Sequence, residues 1–126
     1  AGVSTMETGY YLVTGKGKNQ TITWVGSTTF AAGDAVVVRV YVEDEQNRPL
    51  ANATVDIRIA GAETVNLTTG PSDAAGMAEA TWETMKPNKR GGGGTTPGPY
   101  TATTTNVTAT DYTWDGVMTN ASYTIE

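Results

Sequence analysis

The segment Gly33–Ile59 reads GDAVVVRVYVEDEQNRPLANATVDIRI and decides the fold class. Valine fills every second position from 36 to 42, and aliphatic residues fill positions 55, 57 and 59. Alternate residues of a strand point to the same face, so each half of the segment predicts a strand with one buried face. Between the halves, Asn47 suits a turn and Pro49 cannot donate a ladder hydrogen bond. The segment therefore predicts two antiparallel strands joined by a turn.

The rest of the chain shows the same pattern in shorter pieces. Strands are predicted at residues 10–13, 22–25, 64–68, 77–84, 100–107 and 120–126, with Gly, Pro, Asn and Asp between them. No stretch of ten residues has the period of a helix. We therefore predict an all-β fold, an immunoglobulin-like antiparallel β-sandwich of seven to eight strands with Greek-key connections. Its core is expected to contain Phe30 and Trp82.

The length of 126 residues predicts a single domain covering positions 1–126. Ala1–Glu7 is expected to be a linker or a frayed terminus. Asn88–Gly98 contains four consecutive glycines, which predicts a mobile loop between two strands. Because the chain begins with Ala1 and not Met, we expect it to be a processed or excised piece of a longer protein.

Composition excludes several classes of function. The formal net charge of −5 argues against nucleic acid, since phosphate binding needs a basic surface. Cysteine and histidine are both absent, which removes most nucleophilic triads and zinc sites. No apolar run approaches the ~20 residues of a membrane span, so no membrane insertion is expected. We expect a monomeric, non-enzymatic domain without a cofactor.

Four stretches of the chain occur in an order that is typical of one family: AGDAVVVRVYVED, NRPLANATVDIRI, TTGPSDAAGMAEATW and PGPYTATTTNVTA. The match extends over roughly residues 31–107, more than half of the chain. The chain resembles bacterial immunoglobulin-like domains of the invasin and intimin type, and the Ig-like modules of secreted bacterial and archaeal hydrolases. The resemblance implies an extracellular accessory or spacer domain, secreted or at the cell surface. Such a domain positions or docks a catalytic or adhesive neighbour in the same polypeptide, and the resemblance implies no catalytic residue.

Carboxylates at two predicted turns are candidate calcium ligands, because calcium binds several converging oxygens. These residues are Glu43, Asp44, Glu45, Asp111 and Asp115. Neither group has the D-x-D-x-D spacing of a dedicated calcium loop. The alternative is that they are ordinary polar residues of turns.

A carbohydrate-binding module, with a surface glycan as its partner, is the alternative function. Sugar rings pack on aromatic faces, and the candidate rings are those of Tyr10, Tyr11, Trp24, Tyr112 and Trp114. Among these, Trp114 is predicted to be the exposed ring, with Tyr112 and two aspartates beside it. In the competing interpretation, Trp24 belongs to the core and the DYTWDG segment closes an edge of the sandwich.

Five of the seven asparagines head an N-x-[ST] sequon, the acceptor sequence for N-glycosylation. They are Asn19, Asn52, Asn66, Asn106 and Asn120. A threonine-rich chain forms some sequons by chance, but this excess favours a glycosylated surface protein. Thr101, Thr103 and Thr105 are also predicted to place three hydroxyls on one face of a strand.

Overall fold

The computed structural model describes all 126 residues and consists of strands joined by turns and loops. The elements are β1 (Gly2–Thr14), a short 3₁₀ turn (Gly17–Asn19), β2 (Thr21–Gly26), β3 (Thr29–Phe30), β4 (Ala35–Glu43), β5 (Thr54–Ala60), β6 (Thr64–Thr68), β7 (Met77–Glu83), β8 (Gly98–Thr108) and β9 (Asn120–Ile125). The all-β prediction is confirmed. Nine strands form where seven or eight were predicted, because Thr29–Phe30 also pairs. The N-terminal residues add no strand but lengthen the one predicted at residues 10–13.

The strands form two sheets that pack face to face. One sheet has four strands in the order β2-β1-β4-β7, and the other has five in the order β3-β9-β8-β5-β6. All pairs are antiparallel except β3 and β9, which run parallel. The inner faces of both sheets form one core of 20 buried residues. Within it the Trp82 ring meets the Tyr100 ring of the opposite sheet edge-on, with centroids 5.3 Å apart.

The alternating residues of β4 and β5 supply much of this core, as predicted. Val36, Val38, Val40 and Val42 are fully buried, and so are the aliphatic residues of β5. β4 is an inner strand, since it pairs with β1 on one side and β7 on the other. Val37 lies on the opposite face of β4 and is still only 5% exposed. The residues beside Val37 therefore shield this position on the outer face as well.

The prediction that Ala1–Glu7 is a linker or frayed terminus is wrong. Residues 2–7 form the first half of β1, and Ala1, Val3 and Met6 lie in the core. The pairing with β4 shifts register between Val3 and Thr5, which marks a β-bulge. The bulge lets Val3 and Met6 both face inward although they are three positions apart. It removes the period of two that would have revealed the strand in the sequence.

The C-terminal part of β1 extends beyond its pairing with β4. Its pairing with β4 ends where Gly9 meets Val37, and Tyr10–Thr14 pair with β2 alone. The end of β1 and the facing part of β2 therefore form a hairpin that projects past the sandwich. Glu126 bonds to the backbone of Phe30 at this same end, whereas Gly2 pairs with Glu43 at the opposite end.

The glycine-rich segment Asn88–Gly98 lies mostly in the connection between β7 and β8. The side-chain oxygen of Asn88 accepts hydrogen bonds from the backbone amides of Arg90 and Gly92, at 2.9 and 3.0 Å. The amide of Thr96 donates to the Glu63 carboxylate at 2.6 Å. The Asn88 bonds close a turn, and the Glu63 bond joins the segment to the connection between β5 and β6. The mobility of the loop stays a prediction.

Candidate functional site

The outer face of the four-stranded sheet carries a group of aromatic and charged side chains, here called the aromatic face. Each strand contributes one member: Trp24 from β2, Tyr11 from β1, Arg39 from β4 and Glu79 from β7. The strand register places them together, since Tyr11 is opposite Trp24 and Arg39 is opposite Glu79. All four belong to the outward-facing set of their strands.

Arg39 is the centre of this group. Its guanidinium carbon lies 3.9 Å from the centroid of the Trp24 ring, its Nε donates to Glu79 at 3.0 Å, and its Nη2 donates to the Tyr11 hydroxyl at 2.7 Å. The Tyr11 hydroxyl in turn donates to Glu79. Burial lowers the pKa of Arg39, but the hydrogen bonds with Tyr11 and Glu79 raise it further than burial lowers it. Arg39 therefore stays charged and holds both rings in place.

A glycine makes room for the Trp24 ring on the sheet surface. A Cβ at Gly9 would lie 2.7 Å from the nearest atom of that ring, well inside contact distance. With no side chain there, the indole lies over β1 at Gly9 and contacts Arg39. The Tyr11 ring meets the same indole edge-on, with centroids 5.4 Å apart. The two rings are thus supported from the strand below and from both sides.

A concave pocket of about 440 Å³ opens beside the aromatic face, where the hairpin leaves β4. The lining residues are Tyr10, Tyr11, Asp34, Ala35, Val37 and Thr81. Val37 is the buried floor and the two tyrosines are a wall. The carboxylate of Asp34 accepts a hydrogen bond from the backbone amide of Ala31 at 2.8 Å. The pocket is therefore mainly apolar with one fixed carboxylate, a combination typical of ligand and protein recognition.

The projecting hairpin next to this pocket exposes large apolar side chains, and we call it the apolar hairpin. Its exposed residues are Tyr10, Tyr11, Leu12, Val13 and Ile22, with exposed fractions from 37% to 66%. Met85, which follows β7 at the same end of the sandwich, is 64% exposed. Tyr11, Val13 and Ile22 share one face of the hairpin, and Tyr10 and Leu12 share the other. Exposed apolar side chains grouped in this way mark an interaction site or an aggregation hazard.

The structure divides the predicted aromatic candidates into two groups. Tyr11 and Trp24 meet at the aromatic face, Tyr10 lines the adjoining pocket, and Trp24 is not part of the core cluster. Trp114 lies elsewhere and is not the exposed ring that the sequence predicts. It is half-buried against the core, and its indole nitrogen is buried without a hydrogen-bond partner. Its neighbour Tyr112 is 39% exposed.

Three of the predicted calcium candidates, Glu43, Asp44 and Asp115, line a cleft of about 140 Å³ near Gly2. The carboxylate oxygens of Asp44 and Asp115 accept hydrogen bonds within their own turns. The Asp44 carboxylate accepts hydrogen bonds from the backbone amides at positions 46 and 48 and from the Arg48 side chain, at 2.9 to 3.1 Å. Asp115 likewise accepts a hydrogen bond from the amide two residues ahead, at 2.9 Å.

The other two calcium candidates do not join this cleft. Glu45 contacts the backbone nitrogen of Ala1 at 2.8 Å, and Asp111 occupies a turn with a positive φ of 67°. No group of three or more acidic, histidine or cysteine side chains is arranged so that it could hold a metal ion.

Sequence reasoning missed the residues that organise the aromatic face, namely Arg39 and Glu79, and the pocket residue Asp34. One signal was present. Arg39 is a charged residue in the middle of a valine-rich strand, and such a residue needs a partner on a neighbouring strand. The partner itself depends on which strands are adjacent, and the sequence does not give that order.

No protein-family description, curated protein or solved structure matches this chain. The chain also forms no helix with the length and apolar character needed to cross a membrane. The aromatic face, the pocket and the apolar hairpin are therefore the features from which a function must be argued.

Proposed function

We propose that the chain is a non-catalytic, immunoglobulin-like accessory domain of a secreted or cell-surface protein, and that it docks a neighbouring domain. The strand order supports the Ig-like assignment. β1, β4 and β7 lie side by side in one sheet, and β5, β8 and β9 lie side by side in the other. This corresponds to the A-B-E and C-F-G strand sets of immunoglobulin domains.

The apolar hairpin is the observation that carries the docking proposal. Its residues Leu12, Val13 and Ile22 are 46%, 53% and 66% exposed. Burying aliphatic side chains of this size is energetically favourable, so their exposure suggests a surface that a partner covers. The hairpin projects at the same end of the sandwich as Glu126. A domain joined after Glu126 would therefore lie next to this surface and the adjoining pocket.

Hydrogen exchange tests the docking proposal directly. Amide protection over residues 10–25 is measured in the full-length protein and in the isolated 126-residue domain. We expect slower exchange of the hairpin in the full-length protein, and expect Leu12→Ser/Ile22→Thr to remove the difference. Val117→Thr/Met118→Ser is the matched control, because these residues are 60% and 64% exposed but lie away from the hairpin. Equal exchange in both proteins would contradict docking through this surface.

The second candidate function is carbohydrate binding at the pocket. The observation that favours it is the fixed orientation of the Tyr11 ring, held by Arg39 and Glu79, beside the Asp34 carboxylate. A rigid ring next to a hydrogen-bond acceptor suits the apolar face and the hydroxyls of a sugar. Pull-down on insoluble polysaccharides tests it. Binding that Tyr11→Ala abolishes and Tyr112→Ala preserves would favour this function over domain docking.

A further inference from the structure

Sequons are more frequent in this chain than its composition explains. Serine and threonine make up 28 of the 126 residues, so about two of the seven asparagines would head a sequon by chance. Five do. All five side chains are solvent-exposed in the folded domain. Asn19 lies in the 3₁₀ turn at the tip of the apolar hairpin, and Asn52 lies in the connection between β4 and β5.

The other three sequons share one surface, the outer face of the five-stranded sheet. Asn66 is opposite Arg58, Arg58 is opposite Thr103, and Thr103 is opposite Asn120, so these residues form a row across four strands. Asn66 and Asn120 are thus three strand spacings apart, about 14 Å. Asn106 is opposite Asp56, further along the same face.

The side chains around these asparagines are nearly all small and polar, and we call this surface the hydroxyl face. Its outward members include Thr64, Thr68, Thr101, Thr103, Ser122 and Thr124. The charged residues on its strands are Asp56 and Arg58. It has no pocket and no exposed large apolar side chain, in contrast to the aromatic face. Attached sugars would therefore cover no apolar docking surface.

Strand geometry also orients the sequons of Asn66, Asn106 and Asn120. Residues i and i+2 of a strand point to the same side, so the sequon hydroxyl lies on the same face as its asparagine. At Asn106 the side-chain amide nitrogen is 3.4 Å from the hydroxyl oxygen of Thr108, its own sequon partner. The amide and hydroxyl that a glycosyltransferase must engage together are thus adjacent and exposed.

We propose that the hydroxyl face carries N-linked glycans at Asn66, Asn106 and Asn120. The donor class is a sugar linked through C1 to a polyprenyl pyrophosphate. The asparagine amide nitrogen forms a bond to C1 and releases one proton, the C1–oxygen bond breaks, and the polyprenyl pyrophosphate leaves with the bonding electrons. This proposal rests on the extracellular location in the proposed function, because the chain must reach the compartment that holds the donor.

Mass spectrometry of the protein isolated from its source organism tests the proposal. We expect sugar mass on the peptides containing Asn66, Asn106 and Asn120, and none on those containing Asn47 and Asn88, which head no sequon. Thr68→Ala, Thr108→Ala and Ser122→Ala keep each asparagine but remove its sequon. Each should lose the sugar on its own peptide only, and Ser122→Thr should keep it.

The possible failures are distinguishable. Protein recovered from the cell surface or medium with all three asparagines unmodified overturns glycosylation of this face and leaves the accessory-domain function standing. Sugar confined to Asn19 and Asn52, or attached only to threonines, also overturns N-glycosylation of the hydroxyl face. Protein confined to the cytoplasm overturns both proposals together.

Discussion

Arg39 and Trp24 are in contact although their strands are not neighbours. The guanidinium carbon of Arg39 lies 3.9 Å from the ring centroid, and β1 runs between the two strands that carry them. The contact passes over Gly9, where any side chain would block it. A cation over an indole is attracted to the ring, and this attraction strengthens when both are shielded from water. Arg39 thereby ties the edge strand β2 to the inner strand β4.

Arg39→Ala is expected to lower the free energy of unfolding by about 2–3 kcal/mol, because the cation–π contact and the hydrogen bonds to Tyr11 and Glu79 are lost together. Arg39→Lys should retain less than half of this stabilisation, since an ammonium cannot stack and donate in the same geometry. Urea unfolding, monitored by tryptophan fluorescence, measures the free energy of unfolding of both variants. Arg58→Ala is the control, because Arg58 is exposed and makes no ion pair. Equal effects of Arg39→Ala and Arg58→Ala would contradict the structural role.

Trp114→Ala is expected to destabilise the domain by about 2 kcal/mol, roughly half the cost of removing a fully buried indole, because Trp114 is half-buried. Tyr112→Ala removes an exposed ring from the same segment and should cost less than about 1 kcal/mol. Thermal unfolding of both variants makes the comparison. An unchanged melting temperature for Trp114→Ala, together with lost binding to an insoluble glycan, would restore Trp114 as a sugar-binding ring.

Thr104→Val is expected to stabilise the protein by about 1 kcal/mol. Thr104 is fully buried and its hydroxyl has no hydrogen-bond partner in the protein, so the hydroxyl carries an uncompensated cost of desolvation. Valine has nearly the same shape without the polar atom. Thr103→Val changes the adjacent outward residue and should alter stability by less than about 0.5 kcal/mol. A loss of stability in Thr104→Val would show that the buried hydroxyl is satisfied in solution.

Stability is expected to fall in acid partly through Asp44. The backbone amide of Arg48, with the amide of Gln46 and the Arg48 side chain, holds the pKa of Asp44 below its usual value. A carboxyl whose folded pKa is depressed stabilises the fold above its ordinary pKa of about 3.9 and loses this contribution as the pH falls further. Urea midpoints at pH 6 and pH 3 should therefore differ more for the wild type than for Asp44→Asn. An equal drop in both would exclude this contribution.

The core was predictable because it depends on local alternation. Valines at every second position of β4, and Ala78, Ala80 and Trp82 of β7, face inward as their spacing indicates. The first strand was not predictable, since the bulge after Val3 interrupts that spacing. The aromatic face was only partly predictable. Its rings are visible in the sequence, but its geometry depends on β2, β1, β4 and β7 lying side by side, which is a long-range property.

Trp114 shows the other limit of sequence reasoning. Asp111 and Asp115 within the DYTWDG segment indicate an exposed loop, and Tyr112 is indeed exposed. The backbone of Asp115 bonds to the carbonyl of Ala1 at 2.8 Å and draws the segment against the N-terminal end of β1. This contact joins residues more than a hundred positions apart, so the surrounding sequence could not indicate it.

The placement of the two chain ends has a mechanical consequence. Ala1 precedes β1 at one end of the sandwich, and Glu126 follows β9 at the other, beside the parallel strand β3. Tension applied between these ends would run along β1 and β9. The hydrogen bonds to β4, β8 and β3 lie across that direction, so they would be loaded in shear, many at once, and not opened one by one. In single-molecule pulling we therefore expect a high force from these ends and a lower one when tension peels β2 from β1.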